Sequence, residues 1–112
     1  MTTNKPIFLP LNSDHFYSFG GGLKDTEYRL YGPRWNENTC TIGRPVTISK
    51  GYGKHDRLAG TVVSFDRKKL NELPDYDQAA VRAIYGDNPG DIACIGIDVV
   101  MGIEFGGWSR ER

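Results

Sequence analysis

Hydrophobic and polar positions alternate along several short stretches of the chain, and this alternation predicts strands. Val46-Thr47-Ile48-Ser49 alternates strictly, which is typical of a half-buried strand. The other predicted strands lie at residues 7–11, 27–31, 58–65 and 92–100, with 103–105 as an extension of the last one. Pro10 favours an edge position for the first strand, because proline cannot donate to a ladder. Gly60 indicates a bulge or a close backbone approach in the fourth.

Capping residues predict two helices between these strands. Asn12 suits the N-cap of a short helix that the glycines at 20–22 end. Pro74 begins a second helix and Gly86 ends it. Its apolar residues recur at helical spacing: Tyr76, Ala80, Ala83 and Ile84.

This order of elements favours an α+β fold, because helices neither alternate regularly with strands nor occupy most of the chain. We expect a small mixed or antiparallel β-barrel of five or six strands with two or three short helices. A length of 112 residues fits one domain, with a core at about 7–105 and a tail at 106–112. A hydrophobic content of 38% with zero net charge excludes the disordered class.

Charge and cysteine content narrow the function classes. A protein that binds duplexes without specificity carries a positive excess, so any nucleic-acid contact here must come from a local patch. Cys40 and Cys94 belong to no CxxC pattern, and the start of the chain does not resemble a signal peptide. We therefore expect a soluble cytoplasmic protein without membrane contact. His15 and His55 lack metal-site spacing, so neither a metal nor another cofactor is expected.

The segment from Lys24 to Arg29 is the first candidate site. In an extended strand, Glu27 and Arg29 project on the same face, with Lys24 in the turn before them. Converging charges of this kind shift one another's pKa and often mark functional sites. The alternative is an ion-pair cluster on an exposed strand face.

Two further segments could bind a ligand. Trp35 beside Arg34 could stack on a base, although a tryptophan in a small domain also suits the core. The glycine-rich loop at 50–57 could approach phosphate, or it could be a solvated hairpin tip. The candidate binding residues in and beside this loop are Ser49, Lys50, Tyr52, Lys54 and Arg57.

Four segments together resemble the ASCH domain family. The match runs over roughly residues 7–100 and is most specific from Gly22 to Leu30, where Lys24 precedes Glu27-Tyr28-Arg29. The other matching segments are Leu9-Pro10-Leu11, Ser49 to Lys54 and Ile95 to Val99. The resemblance implies a PUA-like β-barrel with a cleft beside the motif-bearing strand.

The resemblance also implies a role linked to RNA or nucleotides. Some relatives are amidohydrolases that act on N4-acylated cytidine nucleosides, and others are described as ribonucleases. The amidohydrolase pattern has a lysine, a threonine three residues later and a downstream glutamate. Lys24 matches the lysine, but Glu27 takes the threonine position with Thr26 beside it, and Glu72 is a loose counterpart of the glutamate.

Three functions follow as hypotheses. The first is binding of a nucleotide, RNA or another single-stranded nucleic acid, including recognition of a modified base, with cations on phosphate and Trp35 and Tyr52 stacked on bases. The second is a small hydrolase in which Lys24 acts as base or nucleophile, Glu27 orients it, and Thr26 or a water attacks. The third is a protein-interaction module without a nucleic-acid ligand.

Overall fold

Five strands and two α-helices make up the part of the chain that the computed structural model describes, residues 5–22 and 24–100. In chain order the elements are β1 (Ile7–Leu11), α1 (Ser13–Gly20), β2 (Thr26–Leu30), β3 (Pro45–Lys50), β4 (Arg57–Lys68), a 3-10 turn (Leu70–Glu72), α2 (Asp75–Tyr85) and β5 (Ile92–Val99). The predicted extension at 103–105 and the tail at 106–112 lie outside the described residues.

The strands form one mixed sheet in the order β1-β3-β4-β5-β2. β1 runs parallel to β3, and every other neighbouring pair is antiparallel. The sheet curves into a half-barrel, which confirms the predicted α+β class. β1 is an edge strand, as Pro10 predicted, and β2 is the opposite edge.

β5 divides the hydrophobic core between its two faces. Ala93, Ile95 and Ile97 face the larger core inside the curved sheet, together with the two phenylalanines of α1, Phe16 and Phe19. Ile92 and Cys94 face a smaller cluster with Leu73 and Val81 under α2. Because both of its faces are covered, β5 is buried from Ile92 to Ile97, as a continuous apolar run predicts.

The helices begin and end where their caps predicted. The Asn12 side chain accepts a hydrogen bond from the His15 backbone N–H at 2.9 Å, and α2 begins after Pro74 and ends before Gly86. The four apolar residues predicted at helical spacing do not form the buried face of α2. Val81 is the buried residue of α2, whereas Tyr76 and Ile84 are 86% and 62% exposed. None of the helices within 5–22 and 24–100 is long and apolar enough to cross a bilayer.

Gly60 marks a close backbone approach. A Cβ at this position would lie 2.8 Å from the Ile97 Cγ2 atom and 3.1 Å from the Asp98 carbonyl oxygen. The bulge in β4 lies further along, between Val62 and Ser64. β4 also continues beyond the predicted end at residue 65, because residues up to Lys68 stay paired with β5.

Candidate functional site

One cavity lies where the two edge strands of the sheet approach each other. It has a volume of about 200 Å³, and we refer to it as the inner cavity. Its lining comes from the end of β1, from α1, from β2 and from α2: Pro10, Leu11, Asn12, His15, Lys24, Glu27, Tyr28, Arg29, Ala80, Val81, Ile84 and Tyr85. The cavity therefore combines the first candidate segment with residues that lie far from it in sequence.

Arg29 connects the two edges of the sheet. Its Nε donates to Glu27 Oε2 at 2.8 Å, and its Nη2 donates to the Pro10 carbonyl oxygen on β1 at 3.0 Å. Glu27 is 7% exposed and pairs with Ile95, so it faces the interior of the half-barrel, as alternation in the strand predicted. The guanidinium also lies 5.1 Å from the centre of the Trp35 ring.

Lys24 completes a group of three charges with Glu27 and Arg29. Its Nζ lies 3.7 Å from Glu27 Oε1, which is an ion-pair distance but too long for a hydrogen bond. The same Nζ lies 5.6 Å from the centre of the Phe19 ring and 5.5 Å from that of Tyr28. The ammonium is thus held by charge and aromatic faces, and its N–H donors make no hydrogen bond with residues 5–22 and 24–100.

A second, outer cavity of about 650 Å³ adjoins the inner one and shares His15, Lys24, Tyr28 and Ala80 with it. Its other lining residues are Asp14, Ser18, Asp25, Thr26, Tyr76 and Asp77. Three carboxylates against one lysine make this cavity acidic. The Thr26 hydroxyl donates to Asp25 Oδ1 at 2.9 Å.

Tyr28 connects β2 to α2 at the boundary of the two cavities. Its hydroxyl donates to Asp77 Oδ2 at 2.8 Å. Burial, and then the hydrogen bond to Asp77, raise the pKa of Tyr28 well above its ordinary value. Tyr28 therefore stays a neutral donor at physiological pH and holds α2 against the sheet.

The structure places the glycine-rich loop outside this site. Lys50 contacts Asp56 at 3.0 Å and the Tyr17 hydroxyl at 3.2 Å, and the Arg57 guanidinium lies 5.4 Å from the centre of the Phe8 ring. None of the loop's candidate residues (Lys50, Tyr52, Lys54 and Arg57) lines the inner cavity.

Helix α1 separates the loop from the cavity. His15 lines the inner cavity, whereas Tyr17, two residues later, contacts Lys50. Two residues on a helix differ by about 200° in direction, so these side chains lie on opposite flanks of α1. Tyr52 is 81% exposed on the loop side, with its ring centre 6.0 Å from that of Phe8.

The remaining candidates are held by protein contacts. Trp35 is half-buried and packs against the larger core, with Arg34 5.7 Å from its ring centre. Ser49 is fully buried, and its hydroxyl donates to the Gly53 carbonyl oxygen at 3.2 Å. Glu72 accepts from the Lys69 backbone N–H at 2.7 Å and lines neither the inner nor the outer cavity.

Several lining residues were not identified as site residues from the sequence, among them His15, Tyr85 and Asp77. His15 follows the predicted N-cap Asn12 by three residues, so its place in the first turn of α1 was predictable. The direction of its side chain relative to the sheet was not. Tyr85 and Asp77 reach the site only because α2 packs across β2. Nothing in local spacing encodes that packing.

Within residues 5–22 and 24–100 no three histidine, cysteine or acidic side chains are grouped to hold a metal ion. Both cysteines are buried and unpaired. Burial raises the pKa of the Cys94 thiol to about 11. Cys94 is thus a packed thiol of the smaller cluster, with little thiolate character.

The comparisons with known proteins identify the fold. No family model and no curated protein sequence matches the chain. An ASCH protein from Zymomonas mobilis superposes with a TM-score of 0.66 at 11% identity, covering 90% of this chain and 72% of that one. The hypothetical protein PH0355 gives 0.63 at 16% identity, covering 86% and 100%. Protein PF0455 from Pyrococcus furiosus gives 0.54 at 16% identity, covering 90% and 100%.

The contacts of Arg29 predict a large effect of a substitution that keeps its charge. Arg29→Lys should lower the free energy of unfolding by about 1–3 kcal/mol, because lysine has no planar fork to bond Glu27 and Pro10 together. Arg34→Lys, at an exposed position, should change it by less than about 0.5 kcal/mol. Urea unfolding measures both. Equal stability of the two variants would show that the edges are held together without Arg29.

Proposed function

We propose that this chain, which has the ASCH-domain fold, binds a nucleotide or the nucleotide unit of a short single-stranded nucleic acid, with the base in the inner cavity. One observation carries the proposal: Glu27 is a buried acceptor on the cavity wall, between two cations. A buried carboxylate with free acceptor capacity can accept a hydrogen bond from a ligand.

The cavity wall suits a flat, polar-edged ligand. Glu27 Oε2 is used by Arg29, whereas Oε1 has no hydrogen bond within the described residues and can accept one from a base. Lys24 supplies donors beside it. Val81 and Ile84 add apolar surface from α2. A few polar groups on a mostly apolar wall are typical of small-molecule sites.

Size and charge favour a single-stranded ligand. At about 200 Å³ the inner cavity can take only part of a nucleotide, so a base must leave its stack to enter. The carboxylates of Asp14, Asp25 and Asp77 disfavour phosphate in the outer cavity. The proposed pose therefore puts the base in the inner cavity and the phosphate away from the outer one.

The loop on the other flank of α1 is proposed as a contact for further nucleotides of a strand. Tyr52 and Tyr17 are exposed there at 81% and 55%. Arg57 and Lys54 carry charges that are not in an ion pair with any described residue. Exposed aromatics beside cations suit base stacking and phosphate contact along a single strand.

A second candidate is the small hydrolase, favoured by the position of Lys24. Lys24 lines both the inner and the outer cavity, 3.7 Å from Glu27, with Thr26 in the outer cavity bonded to Asp25. In this reading, Lys24 is the base, Glu27 orients it, and Thr26 or a water attacks. Binding remains our first proposal, because Glu27 replaces the hydroxyl of the amidohydrolase pattern.

Binding at the inner cavity predicts a specific loss in Glu27→Gln. The chain should bind at least one of CMP, AMP, GMP and UMP in calorimetric titration, and Glu27→Gln should weaken that binding about tenfold or more, because it replaces a charged acceptor. Glu37→Gln, at an exposed glutamate bonded to Tyr31, is the matched control. Folding of each variant is verified by circular dichroism. If Glu27→Gln binds nucleotides with the same affinity as the unsubstituted chain, the proposed site is wrong.

The loop predicts a separate effect on longer ligands. Lys54→Glu with Arg57→Glu should weaken binding of a ten-nucleotide RNA and reduce its salt slope by about 1.4, as expected for two lost phosphate contacts. Mononucleotide affinity should stay unchanged, because the loop lies across α1. The same charge change at Arg67 and Lys69, which pair with Asp91, is the control. If the double substitution leaves RNA affinity unchanged, the loop is not part of the binding surface.

The hydrolase candidate predicts turnover that depends on Lys24. Product should form from N4-acetylcytidine or from labelled RNA, and Lys24→Ala should reduce the rate at least about a hundredfold, as expected on loss of a general base. Lys54→Ala, an exposed lysine of the loop, controls for charge. Chromatography detects the product. Absence of product from both substrates with the unsubstituted chain would eliminate this candidate and leave the binding proposal unaffected.

A further inference from the structure

Tyr85 differs from the other five tyrosines of the chain in how its hydroxyl is placed. Three hydroxyls take part in side-chain hydrogen bonds, those of Tyr17, Tyr28 and Tyr31. Two belong to rings that are almost fully exposed, Tyr52 and Tyr76. Tyr85 is half-buried, and its hydroxyl makes no hydrogen bond with the rest of residues 5–22 and 24–100.

Tyr85 lies at the wall of the inner cavity. It is the last residue of α2, packs against the smaller cluster and lines the inner cavity. Burial raises the pKa of Tyr85, Arg29 lowers it and Glu27 raises it, so both charges lie within electrostatic reach of the phenol oxygen. At physiological pH the hydroxyl is a neutral donor and acceptor.

We propose that Tyr85 is a specificity-determining residue that hydrogen-bonds the polar edge of the base in the inner cavity. The inference rests on the proposed nucleotide-binding function and adds a residue that distinguishes one base from another. Polar groups removed from water are normally hydrogen-bonded, and the Tyr85 hydroxyl makes no hydrogen bond with any described residue. A ligand edge in the cavity can supply the partner.

The chemistry of the wall defines which edge fits. Glu27 only accepts, so it favours a base that presents an amino group. The Tyr85 hydroxyl can donate to an unprotonated ring nitrogen beside that amino group. Cytosine and adenine carry this pair of groups. Uracil presents a carbonyl and a ring N–H at the same positions, so its carbonyl would face the Glu27 carboxylate. Guanine carries its amino group beside a ring N–H on its Watson–Crick edge, so it can donate to Glu27 but offers the Tyr85 hydroxyl no adjacent acceptor there.

The test is a panel of CMP, AMP, UMP and GMP titrated against the unsubstituted chain, Tyr85→Phe and Tyr31→Phe. The unsubstituted chain should prefer CMP to UMP. Tyr85→Phe should weaken CMP and AMP about tenfold, as for one buried hydrogen bond, and leave UMP and GMP nearly unchanged. Tyr31→Phe removes a hydroxyl that donates to the exposed Glu37 and lines neither cavity, so it should match the unsubstituted chain.

The outcomes separate the two proposals. If the unsubstituted chain binds no nucleotide, the proposed function and this inference are both overturned. If it binds nucleotides and Tyr85→Phe keeps all four affinities, only the role of Tyr85 is overturned. An equal loss for all four nucleotides, with a lower melting temperature, would assign Tyr85 a structural role and overturn the inference as well.

Discussion

The guanidinium of Arg29 bridges β1 and β2 across the open side of the half-barrel. These strands are the two ends of the sheet, so no backbone ladder joins them. Arg29 bonds Glu27 on its own strand and the Pro10 carbonyl oxygen on the other. That oxygen is available because β1 is an edge strand. A backbone ladder would hold β1 and β2 close together, whereas the long Arg29 side chain bridges a wider gap. The inner cavity occupies the rest of the gap between the two strands.

This arrangement gives the site an uneven charge. In the inner cavity the Glu27 carboxylate is opposed by Lys24 and Arg29, whereas the outer cavity adds three carboxylates. Lys24 lies at the boundary of the two. The proposed ligand, with one anionic end and one polar, uncharged end, would meet two different electrostatic environments within a short distance, and this difference would orient it.

Much of the fold was predictable from local signals. The edge position of β1 followed from Pro10, the common face of Glu27 and Arg29 from strand alternation, and the ends of both helices from their caps. The composition of the site was not predictable to the same degree. The loop at 50–57 lies across α1 from the cavity, and Tyr85 reaches it through α2. Both facts depend on packing between elements distant in sequence, which spacing along one element does not encode.

The light attachment of α2 has a consequence for how such a protein can diversify. α2 supplies one wall of the inner cavity, yet Val81 is its buried residue, and the Tyr28–Asp77 hydrogen bond is the side-chain hydrogen bond that joins it to the sheet among the described residues. Ala80 and Ile84 line the inner cavity from this helix and take no part in the contacts of Arg29. If the inner cavity binds a ligand, substitutions at these two positions would change ligand preference while the contacts that join the strands stay intact, so the two properties would be under separate mutational control.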